Sequence, residues 1–133
     1  MTATTFWSAA AAGDILFDNE GSDNFRFAAV EVSQERLSFG VQQEDQIADF
    51  TQGQDKIDLS LIDANPSLAG DQAFTFLADP AHYSGDWTGK VWETTNAQTG
   101  IATINVSINA DASAEMQIYM GHPYTFTASD FIL

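Results

Sequence analysis

Acidic side chains recur at short spacing in residues 45–60, DQIADFTQGQDKIDLS, and they are the first candidates for chemistry. The acids are Asp45, Asp49, Asp55 and Asp58, interleaved with residues that favour burial. A turn at Gly53 could bring the two acid-bearing segments together, and converging carboxylate oxygens are what a hard cation such as calcium requires. The same acids could equally form the solvated edge of an ordinary β-hairpin, so the residues alone leave both interpretations open.

The net charge limits the partners that this chain can have. Nineteen acids against four bases give a formal charge of −15. This balance excludes a nucleic-acid partner held by phosphate contacts, and it argues against anionic membranes. No run of apolar residues is long enough to span a bilayer, so we expect no membrane insertion.

The composition predicts one folded domain. The 133 residues are 44% hydrophobic and include ten phenylalanines, which is enough for a core. There is no cysteine, so disulfides and thiol chemistry are absent, and the chain is compatible with secretion that does not depend on oxidative folding.

Motifs for catalysis are missing from the sequence. There is no His-Glu-x-x-His zinc motif and no Gly-x-Ser-x-Gly elbow. The two histidines, His82 and His122, lie in turns near prolines and are expected on surface loops. We therefore expect that the chain is not an enzyme. Trp87, in a predicted loop, is the one tryptophan expected as an exposed platform for a sugar, whereas Trp92 is expected in the core.

Short alternating segments separated by Gly and Pro predict an all-β fold. Strands are expected at 73–77, 90–94, 101–108 and 116–120, with a last strand around Tyr124 and Phe126. Such spacing predicts an antiparallel β-sandwich or β-roll-like cap with minor helix. Residues 1–13 are expected as a short helix or a loosely ordered lead-in, and residues 14–133 as the domain.

The pattern D-x-I-x-D-F followed by G-x-D-K-I-D-L-S resembles the C-terminal module of serralysin-type metalloproteases and related RTX exoproteins. The resemblance continues at 71–76 (DQAFTF) and 83–85 (YSG) and closes at 129–133 (SDFIL). It covers roughly residues 14–133, with four blocks in the family's order.

The resemblance implies a calcium-binding role for several of these residues. Asp45, Asp49, Asp55 and Asp58 match positions where the family places acids near bound Ca²⁺, although Asp58 could instead fix the loop through a hydrogen bond. Residues 16–27 resemble one decayed turn of the RTX nonapeptide repeat, with Asp23 as its acid. A single repeat cannot bury its own face, so this segment is either the last turn of a roll or a capping hairpin.

A second calcium loop is implied at residues 107–115. The family commonly has D-x-N-G-D-x-x-A-D here, and this chain keeps Asn109, Asp111 and an acid at Glu115. Ser107 replaces the first Asp and Ala110 replaces the turn glycine, which should weaken calcium binding. The segment is therefore expected to be either a weakened site or a simple turn.

The last four residues resemble the terminal signal of type I secretion substrates; they are Asp130, Phe131, Ile132 and Leu133. Alternatively, Phe131 and Leu133 pack into the fold at the end of an edge strand, and both roles can hold if the chain is exported unfolded. The resemblance thus implies a non-catalytic secreted module that acts as a type I secretion signal and a calcium-assisted folding cap. Its partners would be the type I secretion machinery and an upstream passenger domain or extracellular partner. The alternative is a stand-alone extracellular binding protein, for a protease or a glycan, that kept the fold and lost most metal sites.

Overall fold

The computed structural model describes residues 6–8, 15–16, 21–27, 34–36, 42–47, 50–110, 112 and 114–133. Within this part of the chain the regular elements are eleven strands and two short 3-10 helices. The strands are β1 (Phe6–Ser8), β2 (Ile15–Leu16), β3 (Asn24–Arg26), β4 (Gln34–Arg36), β5 (Gln42–Ile47), β6 (Lys56–Asp58), β7 (Thr75–Leu77), β8 (Lys90–Thr95), β9 (Ala102–Ser107), β10 (Met116–Tyr119) and β11 (Phe131–Ile132). The 3-10 helices are Pro80–His82 and Ala128–Asp130. The all-β class predicted from the sequence is confirmed. In the described part no helix has the length and apolar character needed to cross a bilayer.

One sheet has four strands in the order β1-β3-β6-β11, and all of its pairings are parallel. The register places Phe25, Ile57 and Phe131 side by side on neighbouring strands, and all three are buried. The strands appear in this sheet in the order in which they occur in the chain. The chain visits the second sheet between successive strands, as in a coil that winds around a common core.

The second sheet has seven strands, in the order β2-β5-β10-β9-β8-β7, with β4 also paired to β5. The antiparallel pairing expected from the sequence is found between β8, β9 and β10, and between β4 and β5. The pairs β2–β5, β5–β10 and β7–β8 are parallel. Alternation of apolar residues defines which face of a strand is buried, but it carries no information on the direction of the neighbouring strand.

A single hydrophobic cluster joins both sheets. Its fully buried members include Phe25 and Ile57 from the four-stranded sheet and Ile104, Met116 and Ile118 from the seven-stranded sheet. Because members from both sheets share this cluster, the two sheets form the layers of one core.

The segment 50–55 connects the two sheets. An ordinary hairpin around Gly53 was one of the two interpretations that the sequence left open, but β5 belongs to the seven-stranded sheet and β6 to the four-stranded sheet. The turn itself is present: the amides of Gln54 and Asp55 donate to the Thr51 carbonyl, and Gly53 has a φ of 86°. The strands on either side of the turn, β5 and β6, do not pair with each other. Each buries an isoleucine, Ile47 and Ile57, in a different layer of the core.

Two further elements differ from the sequence-based expectation. Residues 6–8 form strand β1, paired with β3, where a short helix or loose lead-in was expected; Ala9–Ala12, the basis of that expectation, lie outside the described residues. The region of Tyr124 and Phe126 is not a strand. Its rings pack instead against Phe50, with centroid distances of 5.8 and 5.5 Å.

Candidate functional site

Four aspartates, each at most 5% exposed, lie around strand β6 and its neighbours β3 and β11. They are Asp23 before β3, Asp55 and Asp58 at the two ends of β6, and Asp130 before β11. Burial of a carboxylate is costly unless hydrogen bonds or an opposite charge compensate it. The partners of these acids therefore indicate their role.

Asp55 binds the backbone at two places: at the start of the turn that precedes β6, and just before β3. Its Oδ1 accepts a hydrogen bond from the Asp23 amide at 2.9 Å, and its Oδ2 accepts one from the Thr51 amide at 2.7 Å. The Lys56 amide also donates to the Asp23 carbonyl at 2.8 Å. Asp55 thus fixes the 51–55 turn to the start of β3.

Asp58 is paired with an arginine and closes its own loop. Its Oδ2 lies 3.1 Å from Arg26 Nε, and its Oδ1 accepts hydrogen bonds from the amide and hydroxyl of Ser60 at 2.9 and 2.5 Å. Burial raises the pKa of Asp58, but the Ser60 hydrogen bonds and Arg26 outweigh it and hold the pKa below its usual value. This acid has the loop-fixing contact that the sequence offered as the alternative to calcium ligation.

Whether these residues suit a calcium ion depends on what their carboxylate oxygens already contact. Within the part of the chain that the structure describes, no three His, Asp or Glu side chains are placed to hold a metal ion. Both oxygens of Asp55 and of Asp58 already accept N–H or O–H donors, and the Arg26 guanidinium next to Asp58 would repel a cation. The arrangement of Asp55 and Asp58 therefore does not fit a calcium site.

The remaining acids of the first predicted site are only partly described. Asp45 lies on β5 opposite Ile118 of β10, and nothing further is described for its side chain. Asp49 lies outside the described residues, and so does Asp111 of the second predicted site. Calcium ligation by these three residues stays a prediction, and so does ligation by the buried Asp23.

The loop 107–115 closes on its own side chains. Glu115 Oε2 accepts the Ile108 amide and Oε1 accepts Asn109 Nδ2, each at 2.7 Å. The buried Ser107 hydroxyl donates to the Asn109 carbonyl at 2.9 Å. The structure thus brings Asn109 and Glu115, which the family resemblance assigned to one loop, into contact. However, an amide N–H occupies the position facing the carboxylate, and this arrangement suits a hydrogen-bonded turn rather than a cation.

The C-terminal residues are part of the core. Strand β11 pairs in parallel with β6, and the Leu59 amide donates to the Ile132 carbonyl at 2.8 Å. Phe131 is 7% exposed and stacks on Phe76 at a centroid distance of 5.1 Å. The packing alternative proposed for the tail is therefore present in the fold.

Polar side chains lock the chain just before β11. Asp130 Oδ2 accepts hydrogen bonds from the Thr127 amide at 2.9 Å and from Gln52 Nε2 at 3.2 Å. Lys56 Nζ donates to the Ser129 carbonyl. Residues of the 51–56 segment thus hold the tail from the side.

A groove that the sequence did not indicate lies on the seven-stranded sheet. It encloses about 470 Å³ and includes Thr94, Thr103, Gln117 and Tyr119 among its lining residues. Trp87, the sugar platform expected from the sequence, packs instead edge-on against Tyr83 and Trp92, at 5.0 and 4.7 Å. Scattered threonines and amides on the outer face of strands give no motif, so only the register of the sheet shows that they meet.

Two solved structures with a similar fold are subunits of a mannuronan C5-epimerase. The solution structure of the AlgE6R3 subunit of the Azotobacter vinelandii mannuronan C5-epimerase matches with a TM-score of 0.56 and 23% identity, over 97% of this chain and 66% of that chain. The AlgE6R2 subunit of the same enzyme matches with a TM-score of 0.58 and 23% identity, over 95% of this chain and 68% of that chain. The chain thus spans about two thirds of each neighbour, and at this identity the likeness establishes the fold alone.

Sequence comparisons identify the family. Comparison with curated proteins gave no match. The family model described as Peptidase M10 serralysin C terminal matches residues 7–133, which includes all but the first residue of β1 and every later strand. This match confirms the resemblance found in the sequence and extends it into the segment taken as a lead-in. The chain belongs to the family of serralysin C-terminal modules.

Proposed function

We propose that this chain is a non-catalytic module of an extracellular protein, that its last four residues act as a type I secretion signal, and that it folds after export. The family to which it belongs is the C-terminal, non-catalytic part of serralysins, and this supports a role outside catalysis. The placement of the tail is the observation that carries the proposal.

The tail cannot act as a recognition element in the folded module. The backbone of β11 is already paired with β6, and the Phe131 side chain is buried against Phe76. A receptor that binds these residues must therefore do so before the module folds. Folding outside the cell then buries the signal. The same residues therefore serve first in recognition by the exporter and afterwards in the core of the folded module.

Calcium enters this proposal through the family alone. Asp55, Asp58 and Glu115 act as hydrogen-bond acceptors that stabilise three turns, at 51–55, 58–60 and 107–115, since their oxygens face protein donors. Any calcium requirement for folding would rest on acids outside this set.

The export role is tested by fusing residues 7–133 to a passenger protein in a bacterium that has a type I exporter. We expect the fusion to appear in the medium and export to be lost when residues 130–133 are deleted. Equal export of the truncated fusion would overturn the proposal.

A matched variant separates signalling from folding. Phe76→Ala removes the ring that stacks on Phe131 but leaves the tail sequence intact. We expect this variant to be exported at the level of the unaltered fusion, because recognition precedes folding. A loss of export equal to that of the truncation would show that a folded tail is needed, and the proposal would be wrong.

A metal-free binding protein is the second candidate function. The self-closing loop at 107–115, where Glu115 accepts hydrogen bonds from Ile108 and Asn109, favours it. Retention of the purified chain on immobilised proteases or glycans from culture medium tests this candidate, and passage through all of them in the unbound fraction would contradict it.

A further inference from the structure

The groove on the seven-stranded sheet is formed by one row of side chains across four strands. The register places Thr94, Thr103, Tyr119 and Gln46 next to one another on β8, β9, β10 and β5. Their neighbours along the strands, such as Ile104 and Ile118, are fully buried. Because successive residues of a strand point to opposite faces, the row lies on the face away from the core.

The described residues that line this groove are uncharged. All ten of its described lining residues are neutral, although the chain as a whole carries a charge of −15. Every one of them except Ile101 and Gly121 has a hydroxyl or a carboxamide. Such a lining offers no carboxylate for a metal ion and no cation for a phosphate or an acidic sugar. It does offer groups that donate and accept hydrogen bonds, which is what neutral hydroxyl groups require.

A buried asparagine beside the groove, on the same face of β9 as Thr103, fixes two of the lining side chains. Asn105 is 3% exposed, and its Nδ2 donates to Thr94 Oγ1 at 3.0 Å, while its Oδ1 accepts from Gln117 Nε2 at 2.8 Å. This network crosses β8, β9 and β10. Side chains that are already held in place lose less conformational entropy when a ligand binds.

One aromatic ring completes the groove. Tyr119 is 44% exposed and stands in the middle of the polar row. An exposed ring among hydroxyls and amides can pack against the C–H face of a sugar while its neighbours bond the hydroxyl groups. The volume of about 470 Å³ is in the range of small-ligand sites, roughly 300–1,000 Å³.

We propose that this groove binds a short neutral oligosaccharide. The inference does not depend on the export proposal, because it rests on the outer face of β8, β9, β10 and β5 rather than on the tail. The negative charge of the chain contributes selectivity, since it repels anionic polysaccharides while leaving a neutral chain unaffected.

The experiment is an NMR titration of the ¹⁵N-labelled chain with maltohexaose, cellohexaose and laminarihexaose, and in parallel with an oligomannuronate. We expect the amide signals of Thr94, Thr103, Gln117 and Tyr119 to shift and saturate with at least one neutral probe and to stay unchanged with the acidic one. Absence of saturable shifts with all three neutral probes at millimolar concentration, or stronger binding of the oligomannuronate, would overturn the proposal.

Variants test whether the groove is the binding site. Tyr119→Ala should weaken the affinity for the neutral probe by about tenfold, the loss expected for one aromatic packing contact. Thr94→Val, which keeps the side-chain shape, should also weaken binding. Tyr83→Ala and Thr125→Val are matched controls outside the groove and should bind like the unaltered chain. Equal affinity of Tyr119→Ala, Thr94→Val and the controls would show that binding occurs elsewhere.

Discussion

Arg26 and Asp58 lie directly opposite each other on the parallel strands β3 and β6, with Arg26 Nε 3.1 Å from Asp58 Oδ2. The Asp58 side chain is 4% exposed and that of Arg26 is 36% exposed. The arginine thus supplies the positive charge that a buried carboxylate needs at this position. A protein side chain does here what a bound cation could do in a calcium site.

Removal of the Asp58 charge should destabilise the fold. Asp58→Asn keeps the size of the side chain but weakens the bond to Arg26 and the two bonds from Ser60. We expect a loss of about 2 kcal/mol in the free energy of unfolding, measured with urea.

Asp86 provides the matched control for this substitution. It makes the same two bonds, from the amide and hydroxyl of Thr88 at 2.8 and 2.6 Å, but it is exposed and has no arginine partner. Asp86→Asn should therefore have a much smaller effect. An equal effect of the two substitutions would show that the Arg26 pair and the burial of Asp58 add nothing.

The stability of the chain should fall on acidification, in part through Asp58. Its pKa is lower in the folded state than in the unfolded state, where it is about 3.9. The unfolded state therefore takes up the proton more readily. The contribution of Asp58 is fully present above the unfolded pKa and is lost as the pH falls through the folded pKa. Urea unfolding at a series of acidic pH values should give a shallower pH dependence for Asp58→Asn than for the unaltered chain, and parallel curves would contradict this assignment.

The buried tail should contribute strongly to stability. Phe131→Ala removes a ring that packs on Phe76 and Phe126, and we expect a loss of about 3 kcal/mol in the free energy of unfolding. Leu61→Ala is a suitable control, because Leu61 is 54% exposed and its truncation should change the stability by less than about 0.5 kcal/mol. If the Phe131 variant is as stable as the control, the tail does not belong to the cooperative core.

Glu115 should not contribute to any effect of calcium. Calcium bound at one site would add about 2.7 kcal/mol to the free energy of unfolding when its concentration is about a hundred times the dissociation constant. This corresponds to a rise of roughly ten degrees in the unfolding midpoint. The Glu115 oxygens already accept bonds from Ile108 and Asn109. We therefore expect the difference between midpoints in calcium and in chelator to be the same for the unaltered chain and for Glu115→Gln. A rise that occurs in the unaltered chain and disappears in the variant would identify Glu115 as a ligand.

Local pattern was sufficient to predict several strands. The alternation around Val91, Ile104 and Ile118 predicted β8, β9 and β10 to within one or two residues at their ends. These strands are adjacent in sequence and pair antiparallel, so little information from distant residues is needed.

Features that depend on distant residues could not be predicted from the sequence. Asp55 lies in an acid-rich segment that would suit a metal ligand or a solvated acid equally well. Its partners in the structure are the amides of Thr51 and of the distant Asp23. The region of Tyr124 and Phe126 has the pattern of a strand, yet its rings pack on Phe50 and the Phe126 amide donates to Glu93. In each case the conformation depends on which distant segment the fold places next to the residue.

The pairing of β11 with β6 has a consequence for the timing of folding. The two strands are separated in the chain by residues 59–130. Contacts between residues so far apart in sequence form late, because a long loop must close before they are made. The four-stranded sheet therefore cannot be completed until the loop formed by residues 59–130 has closed. Until that loop closes, the edge of β6 that pairs with β11 in the folded module is open.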